Sequence, residues 1–266
     1  MQPTRREFLK TSLVASTVAM VGTAAAAAPT GAPGRDYYEL RAYRLKSGAP
    51  HTLLDAYLAQ TLIPALNARG IKSVGVFTEP EAKDGPAVWV LIPHPSLESV
   101  ASVTASLNAE AAVLAAGADY FNASSKDNPA FDRVDSWLLL AFSGLPQLAV
   151  PALARAGQSR VFEMRTYDSY NEVKALKKVD MFNAGEIGVM QDLNLSPVFY
   201  GQALVGRDLP HLTYMLCSPD RETHQKNWAA FTQHPVWLKL KADPQYADTV
   251  SKVTSRFLAP APYSQI

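Results

Sequence analysis

The sequence predicts an α+β fold in which two ferredoxin-like repeats pack their sheets face to face, as a barrel within one chain. Three observations predict this. The pattern Glu-x-Arg-x-Tyr occurs at residues 39–43 and again, 124 residues later, at residues 163–167. Each half follows the order strand, helix, strand, strand, helix, strand, which is the βαββαβ order of the ferredoxin-like motif. Several strands are apolar on both faces and must therefore be buried on both sides.

The duplication extends well beyond the repeated motif. Aligning residues 39–99 with residues 163–223 without gaps gives nine identical positions. Apart from the motif, several of them fall at a predicted turn and at a predicted helix start. These pairs are Asp84 with Asp208, Pro86 with Pro210, Pro95 with Pro219, and Glu98 with Glu222. Because turns and helix starts depend on such residues, matches there indicate a true structural repeat.

In the first repeat, residues 36–142, strands are predicted near 37–45, 71–79, 86–92 and 134–142. A helix near 50–69 begins at Pro50, and Pro64 should kink it. Its apolar side chains share one face, as an amphipathic helix requires. They are Leu54, Tyr57, Leu58, Leu62 and Leu66. A second helix begins at a Ser96 cap and runs toward Leu114.

In the second repeat, residues 160–260, strands are predicted near 160–168, 195–205, 211–217 and 250–258. One helix spans about 171–192, and a second begins at Asp220, runs to 242 and is broken at Pro235. The first of these should turn one apolar face inward. That face comprises Val173, Leu176, Val179, Ile187 and Met190. Residues 143–159, which contain two prolines and two glycines, form the linker between the repeats.

The apolar strands explain why the two sheets should face each other. Residues 88–92 and 137–142 do not alternate between apolar and polar side chains. Helices cover only one face of such a sheet, and the largest remaining surface in the chain is the sheet of the other repeat. Burying that face removes several large side chains from water, at about 1.5–3 kcal/mol each.

The alternation of side chains along a strand then predicts which face of the sheet carries the repeated motif. If Phe162 and Met164 point toward the helices, the acid, arginine and tyrosine of each motif share the opposite face, inside the barrel. The resulting interior set is Glu39, Arg41, Tyr43, Glu163, Arg165 and Tyr167. Buried charges must be paired or bound. Each set is therefore either a structural network that satisfies itself or a place where an arginine holds the polar group of a ligand.

Residues 1–28 have the features of a twin-arginine export signal. The segment Thr4-Arg5-Arg6-Glu7-Phe8-Leu9-Lys10 precedes a weakly hydrophobic run and an alanine stretch with cleavage sites. We therefore expect a periplasmic or secreted protein that makes no stable membrane insertion once the signal is cleaved. Without the charges of this segment the chain carries 22 basic and 23 acidic residues, a balance that argues against a nucleic-acid partner.

The chain carries few residues typical of metal or redox chemistry. Cys217 is the single cysteine, so no internal disulfide is expected, and its apolar neighbours predict a buried core position. The five histidines do not fall at metal-ligand spacing, and neither a glycine-rich phosphate loop nor a nucleophile elbow is present. The sequence therefore predicts no metal and no cofactor.

Three segments resemble the NIPSNAP family. They are residues 38–48, which read Tyr-Glu-Leu-Arg-Ala-Tyr-Arg-Leu-Lys-Ser-Gly, residues 162–167, and the aromatic-rich residues 227–237. The resemblance covers residues 37–258 and implies a dimeric α/β-barrel, with the dimer here fused in one chain. It implies little about activity, although relatives of this fold include cofactor-independent monooxygenases, small-molecule isomerases and haem-handling proteins.

The sequence is compatible with three functions. In the first, the barrel binds a small, mostly apolar molecule between its sheets, with Arg41 and Arg165 at its polar end. In the second, it is a cofactor-independent monooxygenase or isomerase of aromatic or polyketide-like compounds, with a motif tyrosine as acid and a motif glutamate as base. In the third, it is a non-catalytic interaction protein with a solid barrel core. An interior cavity would favour the first two, and a homo-oligomer is compatible with all three.

Overall fold

The computed structural model describes residues 34–46, 51–82, 85–123, 125 and 128–266. The predicted export signal at 1–28 lies outside the described residues, as do Pro50 and Asp84, so export remains a prediction. In the described part of the chain, no helix has both the length and the hydropathy that crossing a bilayer requires.

The first repeat follows the predicted order of elements. In chain order these are β1 (Tyr37–Arg44), α1 (Thr52–Tyr57), a π-helical turn (Leu58–Leu62), α2 (Ile63–Ala68), β2 (Gly75–Thr78), β3 (Ala87–His94), α3 (Leu97–Ala109), α4 (Ala111–Ala116), α5 (Ala118–Ala123) and β4 (Arg133–Ala141). Helix α5 packs on α1, where Tyr120 stacks on Tyr57 with ring centroids 4.0 Å apart.

The second repeat has the same order. After the short helix α6 (Ala152–Arg155) come β5 (Val161–Asp168), α7 (Glu172–Met181), a π-helical turn (Phe182–Glu186), α8 (Ile187–Asp192), β6 (Pro197–Val205), β7 (His211–Ser218), α9 (Arg221–Gln233), α10 (Pro235–Ala242), a 3₁₀ turn (Pro244–Tyr246) and β8 (Lys252–Pro260). The predicted helix caps are confirmed, because Ser96 Oγ accepts from Ser99 N at 3.1 Å and Asp220 Oδ1 accepts from Thr223 N at 2.7 Å.

The eight strands form one closed antiparallel barrel in the order β1-β3-β2-β8-β5-β7-β6-β4. Within each repeat the order is that of a ferredoxin-like sheet, β4-β1-β3-β2 and β8-β5-β7-β6, as the sequence predicts. The two sheets also join at their edges. Strands β2 and β8 pair at Phe77–Pro260 and Thr78–Ala259, and β4 pairs with β6 from Leu138 to Ala141. Closure removes the exposed strand edges that two separate sheets would leave.

Apolar side chains collect in three layers. One cluster fills part of the barrel interior and draws on both repeats, whereas the other two lie between each half of the barrel and its own helices. Residues 88–92 are buried at every position, which confirms that this strand is covered on both faces. In the strand at 137–142, Leu138 and Leu140 are only half-buried. Cys217 is fully buried in the interior cluster, as predicted.

Both repeats interrupt their first helix at the same place. The π-helical turns at 58–62 and 182–186 lie 124 residues apart, which is the spacing of the repeat itself. The first turn precedes Pro64, but the second precedes Gly188. The first helix is thus interrupted where Pro64 was predicted to break it, with Pro64 in the first turn of α2. In the second repeat the interruption occurs without a proline, and Gly185 there has a non-helical conformation. Such turns add one residue to the helix and change which side chains share a face.

Helix α7 differs from its predicted orientation. Val179, Ile187 and Met190 are buried as predicted, but Val173 is 69% exposed and Leu176 is 49% exposed. In their place Lys178 is buried on the inner side of the helix. The apolar pattern was therefore wrong only for the first turns of this face, where Lys178 is buried with an ionic partner that is described below.

The linker and the C-terminal residues cover one end of the barrel. Leu148 N donates to Asp36 Oδ2 at 2.9 Å, and Ala149 N donates to Val198 O at 2.9 Å, so residues 143–159 are held against both repeats. Leu148 packs on the interior cluster, and Ile266 is fully buried within it. This end lies where β1 and β5 begin. The opposite end, where β1 and β5 finish, carries the cavity described below.

Candidate functional site

The repeated Glu–Arg–Tyr sets lie on the outer face of the barrel, between each sheet and its own helices. Arg41 Nη2 donates to Thr104 Oγ1 of α3 at 2.9 Å, and Tyr43 packs in the helix-side cluster of the first repeat. Tyr167 packs against Phe182 in the corresponding cluster of the second repeat. The predicted interior position of all six motif residues is therefore wrong. Their strand neighbours Leu40, Ala42, Phe162 and Met164 point inward instead.

Glu163 is the centre of the second set. Its Oε1 accepts from Arg165 Nη1 at 2.7 Å and from Ser255, and its Oε2 accepts from His224 Nε2 at 2.7 Å and Trp228 Nε1 at 2.8 Å. His224 and Trp228 lie four residues apart on α9, so they reach the carboxylate from the same helix face. The set therefore ties β5 and β8 to α9 through one buried carboxylate.

The remaining groups of this set are also paired. His224 Nδ1 lies 3.0 Å from Ser218 Oγ, and its Nε2 donates to Glu163, because a carboxylate oxygen only accepts hydrogen bonds. Arg165 Nε donates to Tyr167 Oη at 3.2 Å, and Tyr167 Oη lies 2.9 Å from Tyr214 Oη. The Arg165 guanidinium also stacks over Trp228, 4.7 Å from the ring centroid. Each polar group thus has a partner inside the protein.

The first set is a looser version of the second. Glu39 accepts hydrogen bonds from two nitrogens of Arg41, from Nε to Oε1 at 2.6 Å and from Nη2 to Oε2 at 2.8 Å. Ser136 donates at 3.4 Å, and His94 Nε2 lies 3.6 Å away, beyond ordinary hydrogen-bond distance. The histidine comes from strand β3 here and from a helix in the second set. The Glu39 side chain is 15% exposed, whereas that of Glu163 is 4% exposed.

Both carboxylates are held ionised. Burial alone would raise the pKa of Glu163, but hydrogen bonding to His224 and the charge of Arg165 outweigh it and lower the pKa to about 2. Burial would also raise the pKa of Glu39, but His94 and Arg41 outweigh this effect and lower the pKa to about 2. A carboxylate held in this way is a poor general base near neutral pH. The motif glutamates therefore do not suit the base role that the enzyme hypothesis gave them.

These shifts predict that the protein loses stability in acid. A carboxylate with a lowered pKa stabilises the fold fully above its ordinary pKa of 4.5, and this stabilisation is lost as the pH falls toward 2. The two carboxylates should each contribute roughly 2–4 kcal/mol. The urea midpoint measured from pH 6 to pH 2 should fall steeply below pH 4.5, and the fall should be shallower in Glu163→Gln. Equal slopes in both proteins would contradict this.

A second buried ionic group lies beside the second set. Lys178 Nζ donates to Glu186 Oε1, and both side chains are at most 4% exposed. The ammonium also lies 4.8 Å from the Phe182 ring centroid and 5.3 Å from that of Trp237. Burial raises the pKa of Glu186, and Lys178 opposes that effect. The equivalent residues of the first repeat, 124 positions earlier, are Leu54 and Leu62.

The barrel interior is filled at one end and open at the other. Aromatic side chains pack the half where β1 and β5 begin, with Tyr38 against Phe199 at 5.0 Å and Phe77 against Phe162 at 4.9 Å between ring centroids. The other half holds a cavity of about 320 Å³ that opens at the mouth of the barrel. The interior is therefore solid in only half of the barrel, whereas one of the three open functions required a core that is solid throughout.

The first repeat supplies an aromatic wall to this cavity. Trp89 pairs with Ala42 across β1 and β3, and Trp137 pairs with Leu40 across β1 and β4. The two indoles are nearly parallel, 21° apart with centroids separated by 6.0 Å. Gly206 permits the position of Trp137, because a Cβ on this residue would lie 2.2 Å from Trp137 Cδ1.

The second repeat supplies a polar wall. Thr166 Oγ1 lies 2.9 Å from Thr213 Oγ1, which lies 3.4 Å from His211 Nδ1, so the three side chains form a hydrogen-bonded relay along the cavity. Burial lowers the pKa of His211, and the nearby Asp168 opposes that effect. The net shift favours the neutral imidazole, which can either accept or donate a hydrogen bond.

Charged pairs complete the cavity on both sides. Arg256 Nη1 lies 3.1 Å from Glu79 Oε2, and its guanidinium stacks over Trp89 at 5.5 Å from the ring centroid. Arg207 Nη2 lies 3.0 Å from Asp135 Oδ2 at the mouth. Neither motif arginine lines the cavity. Among the described residues, no group of three or more His, Cys, Asp or Glu side chains could hold a metal ion.

The sequence interpretation missed the cavity residues because the two walls face each other only when the barrel closes. A partial signal was present, since Trp89 and Trp137 lie in the two strands predicted to be buried on both faces. Which face each indole occupies follows from the register with β1, and this register was not predicted. His94 ends β3 and His211 begins β7, so the structure places these two histidines at opposite ends of the barrel.

Comparison with known proteins supports the family resemblance in the second repeat, because residues 162–265 match the model of the NIPSNAP family. No curated protein matches the chain. A NIPSNAP-like domain protein from Burkholderia xenovorans is 18% identical, with 40% of this chain and 90% of that chain covered and a TM-score of 0.36.

Two solved structures share the fold over most of the chain. A candidate monooxygenase from Fusobacterium nucleatum is 8% identical, with 85% of this chain and 93% of that chain covered and a TM-score of 0.52. A candidate monooxygenase from Lactobacillus acidophilus is 7% identical, with 85% and 94% covered and a TM-score of 0.53. Identities this low establish the dimeric α/β-barrel fold and say nothing about activity.

Proposed function

We propose that this protein binds a small, mostly apolar molecule in the open half of its barrel. The observation that carries the proposal is the cavity of about 320 Å³ enclosed by strands of both repeats. Ligand sites in proteins are typically clefts of roughly 300–1,000 Å³ with apolar walls and a few polar groups. The tryptophan wall and the threonine–histidine wall supply these two features. A half-open interior argues against an interaction protein with a solid core.

The polar end of this site differs from the one that the sequence predicted. Arg41 and Arg165 lie behind the sheets and are already bonded to Glu39 and Glu163. A ligand between the sheets would meet the Thr213–His211 wall instead. In this proposal the motif has a structural role, and residues of the barrel interior bind the ligand.

Filling the cavity should abolish binding without unfolding the protein. Ala42 is 3% exposed and lines the cavity, so Ala42→Phe places a ring in the space that a ligand would occupy. We expect wild type to enhance the fluorescence of N-phenyl-1-naphthylamine and Ala42→Phe to bind this probe at least tenfold more weakly. The matched control is Ala105→Phe, an exposed position on α3.

Two further measurements keep this test decisive. Circular dichroism reports whether Ala42→Phe folds, and Ala87→Phe narrows the same cavity nearer its mouth. Unchanged probe affinity in both folded variants would contradict the proposed site. Failure of the wild-type protein to bind the probe would count against the binding function itself.

A second candidate function, an isomerase or cofactor-independent monooxygenase, is favoured by the position of His211. Its imidazole lines the cavity and is 4% exposed, and its lowered pKa leaves it free to accept a proton near neutral pH. Abstraction of a proton next to a carbonyl is a first step that these reactions share. We expect wild type to accelerate deuterium exchange at C1 of 2-tetralone and His211→Phe to lose that acceleration. Equal exchange rates in both would exclude this role.

A further inference from the structure

The two repeats have diverged inside the cavity. Five pairs of positions related by the 124-residue repeat line it. Leu40 with Met164 remains apolar and Arg44 with Asp168 remains charged, but the other three pairs carry apolar or aromatic side chains in the first repeat and polar ones in the second. These pairs are Ala42 with Thr166, Ala87 with His211, and Trp89 with Thr213. All six residues line the cavity. A duplicated barrel with unchanged repeats would instead present the same wall twice.

The last strands of the two repeats show the same divergence. Arg41 of β1 pairs with Ser136 of β4, and Arg165 of β5 pairs with Ser255 of β8, which sets the structural equivalence of these strands. By this equivalence Trp137 corresponds to Arg256. On the outer face the same comparison gives serine in both repeats, and each serine bonds to the motif glutamate. The outer face has thus kept its symmetry at this position, and the cavity has lost it.

A cavity with one aromatic wall and one hydrogen-bonding wall distinguishes the two sides of a ligand. Indole faces favour flat aromatic rings. The relay from Thr166 through Thr213 to His211 can run in either direction, because each hydroxyl both donates and accepts. It therefore suits an oxygen in the form of a hydroxyl or a carbonyl.

We propose, building on the binding function above, that the ligand is an aromatic compound with an oxygen substituent, bound once per chain in a single orientation. Its ring packs against Trp89 and Trp137, and its oxygen bonds to the Thr166–Thr213–His211 relay. A site built to bond to an oxygen rejects the analogue that lacks it, because its buried polar groups then stay unpaired.

The test compares 2-naphthol with naphthalene, which has the same ring system without the oxygen. Dissociation constants are measured by quenching of tryptophan fluorescence for wild type and for Thr213→Val, which removes a relay hydroxyl at nearly constant shape. The ratio of the dissociation constant for 2-naphthol to that for naphthalene should rise about tenfold in the variant, because one buried hydrogen bond is lost. Affinity for naphthalene should change less than threefold.

Thr254→Val is the matched control. Thr254 lies on the same cavity wall, opposite Thr166 in the pairing of β5 with β8, but it is not a member of the relay. The ratio should be unchanged in this variant. Thr166→Val provides a second removal of a relay hydroxyl if Thr213→Val fails to fold.

The outcomes separate this inference from the proposed function. If both compounds bind to wild type but neither relay variant changes the ratio, the relay does not recognise the oxygen. That result contradicts the inference and leaves the proposed binding function standing. An equal change in Thr254→Val, or two bound molecules per chain, would also overturn it. If neither compound binds to wild type, the proposed function fails together with the inference.

Discussion

Replacing Glu163 by glutamine is expected to lower the free energy of unfolding by about 4 kcal/mol, because it leaves buried cationic and polar groups without their carboxylate. Glu163 accepts hydrogen bonds from Arg165, His224 and Trp228, and its side chain is 4% exposed. These bonds connect β5 to α9, so the loss should be accompanied by loosening of that helix. Urea denaturation followed by circular dichroism measures the change.

The equivalent substitution Glu39→Gln should cost about half as much, roughly 2 kcal/mol. Glu39 is more exposed, and His94 lies 3.6 Å from it rather than at hydrogen-bond distance. Glu81→Gln serves as the control, because it breaks a surface ion pair with Arg221. Surface pairs contribute about 0–1 kcal/mol. A larger loss for Glu39 than for Glu163 would show that the two sets do not differ in the way the structure indicates.

Converting the buried pair of the second repeat to the residues of the first repeat is expected to give a strongly non-additive result. Lys178→Leu alone leaves Glu186 buried without its cation, and Glu186→Leu alone leaves Lys178 without its anion. Each should cost about 3–5 kcal/mol. The double variant reproduces Leu54 and Leu62 of the first repeat and should lie within about 1 kcal/mol of wild type or above it. A double-mutant cycle in urea measures the coupling.

A surface pair on the same helix gives the control for this cycle. Lys177 and Asp180 lie 3.8 Å apart with side chains 42% and 61% exposed. Their cycle should show a coupling below about 0.5 kcal/mol, as exposed pairs on helices usually do. If the Lys178–Glu186 cycle were additive, with the double variant losing the sum of both single costs, the pair would not be the main reason for burying Lys178.

The fold could be predicted from sequence because its signals are local. The βαββαβ order and the strands apolar on both faces each follow from a few neighbouring residues, and the repeat follows from comparing two short segments of the sequence. The direction of the motif could not be predicted in this way. Parity shows that Glu163, Arg165 and Tyr167 share a face, but large apolar residues such as Phe162 and Tyr214 occur on both faces of this sheet.

The motif lies on the helix side of the sheet because the helices provide hydrogen-bond partners for its glutamate. His224 and Trp228 lie four residues apart on α9, and both bond to Glu163. Two such residues on one helix face, beside a strand with a buried acid, are the signal that would have placed the motif on the helix side. The Lys178–Glu186 pair lacked even this signal. Residues eight apart lie about 80° apart around a regular helix, and the π-helical turn changes that relation.

A crystal structure of the protein with 2-naphthol bound tests the central claim most directly, namely that the motif sets are structural and the ligand site lies inside the barrel. We predict electron density for the ring in van der Waals contact with Trp89 and Trp137, its oxygen at hydrogen-bond distance from Thr166 or Thr213, and the Arg41 and Arg165 sets unchanged. Density for the compound between a sheet and its helices, against Arg41 or Arg165, would contradict the account.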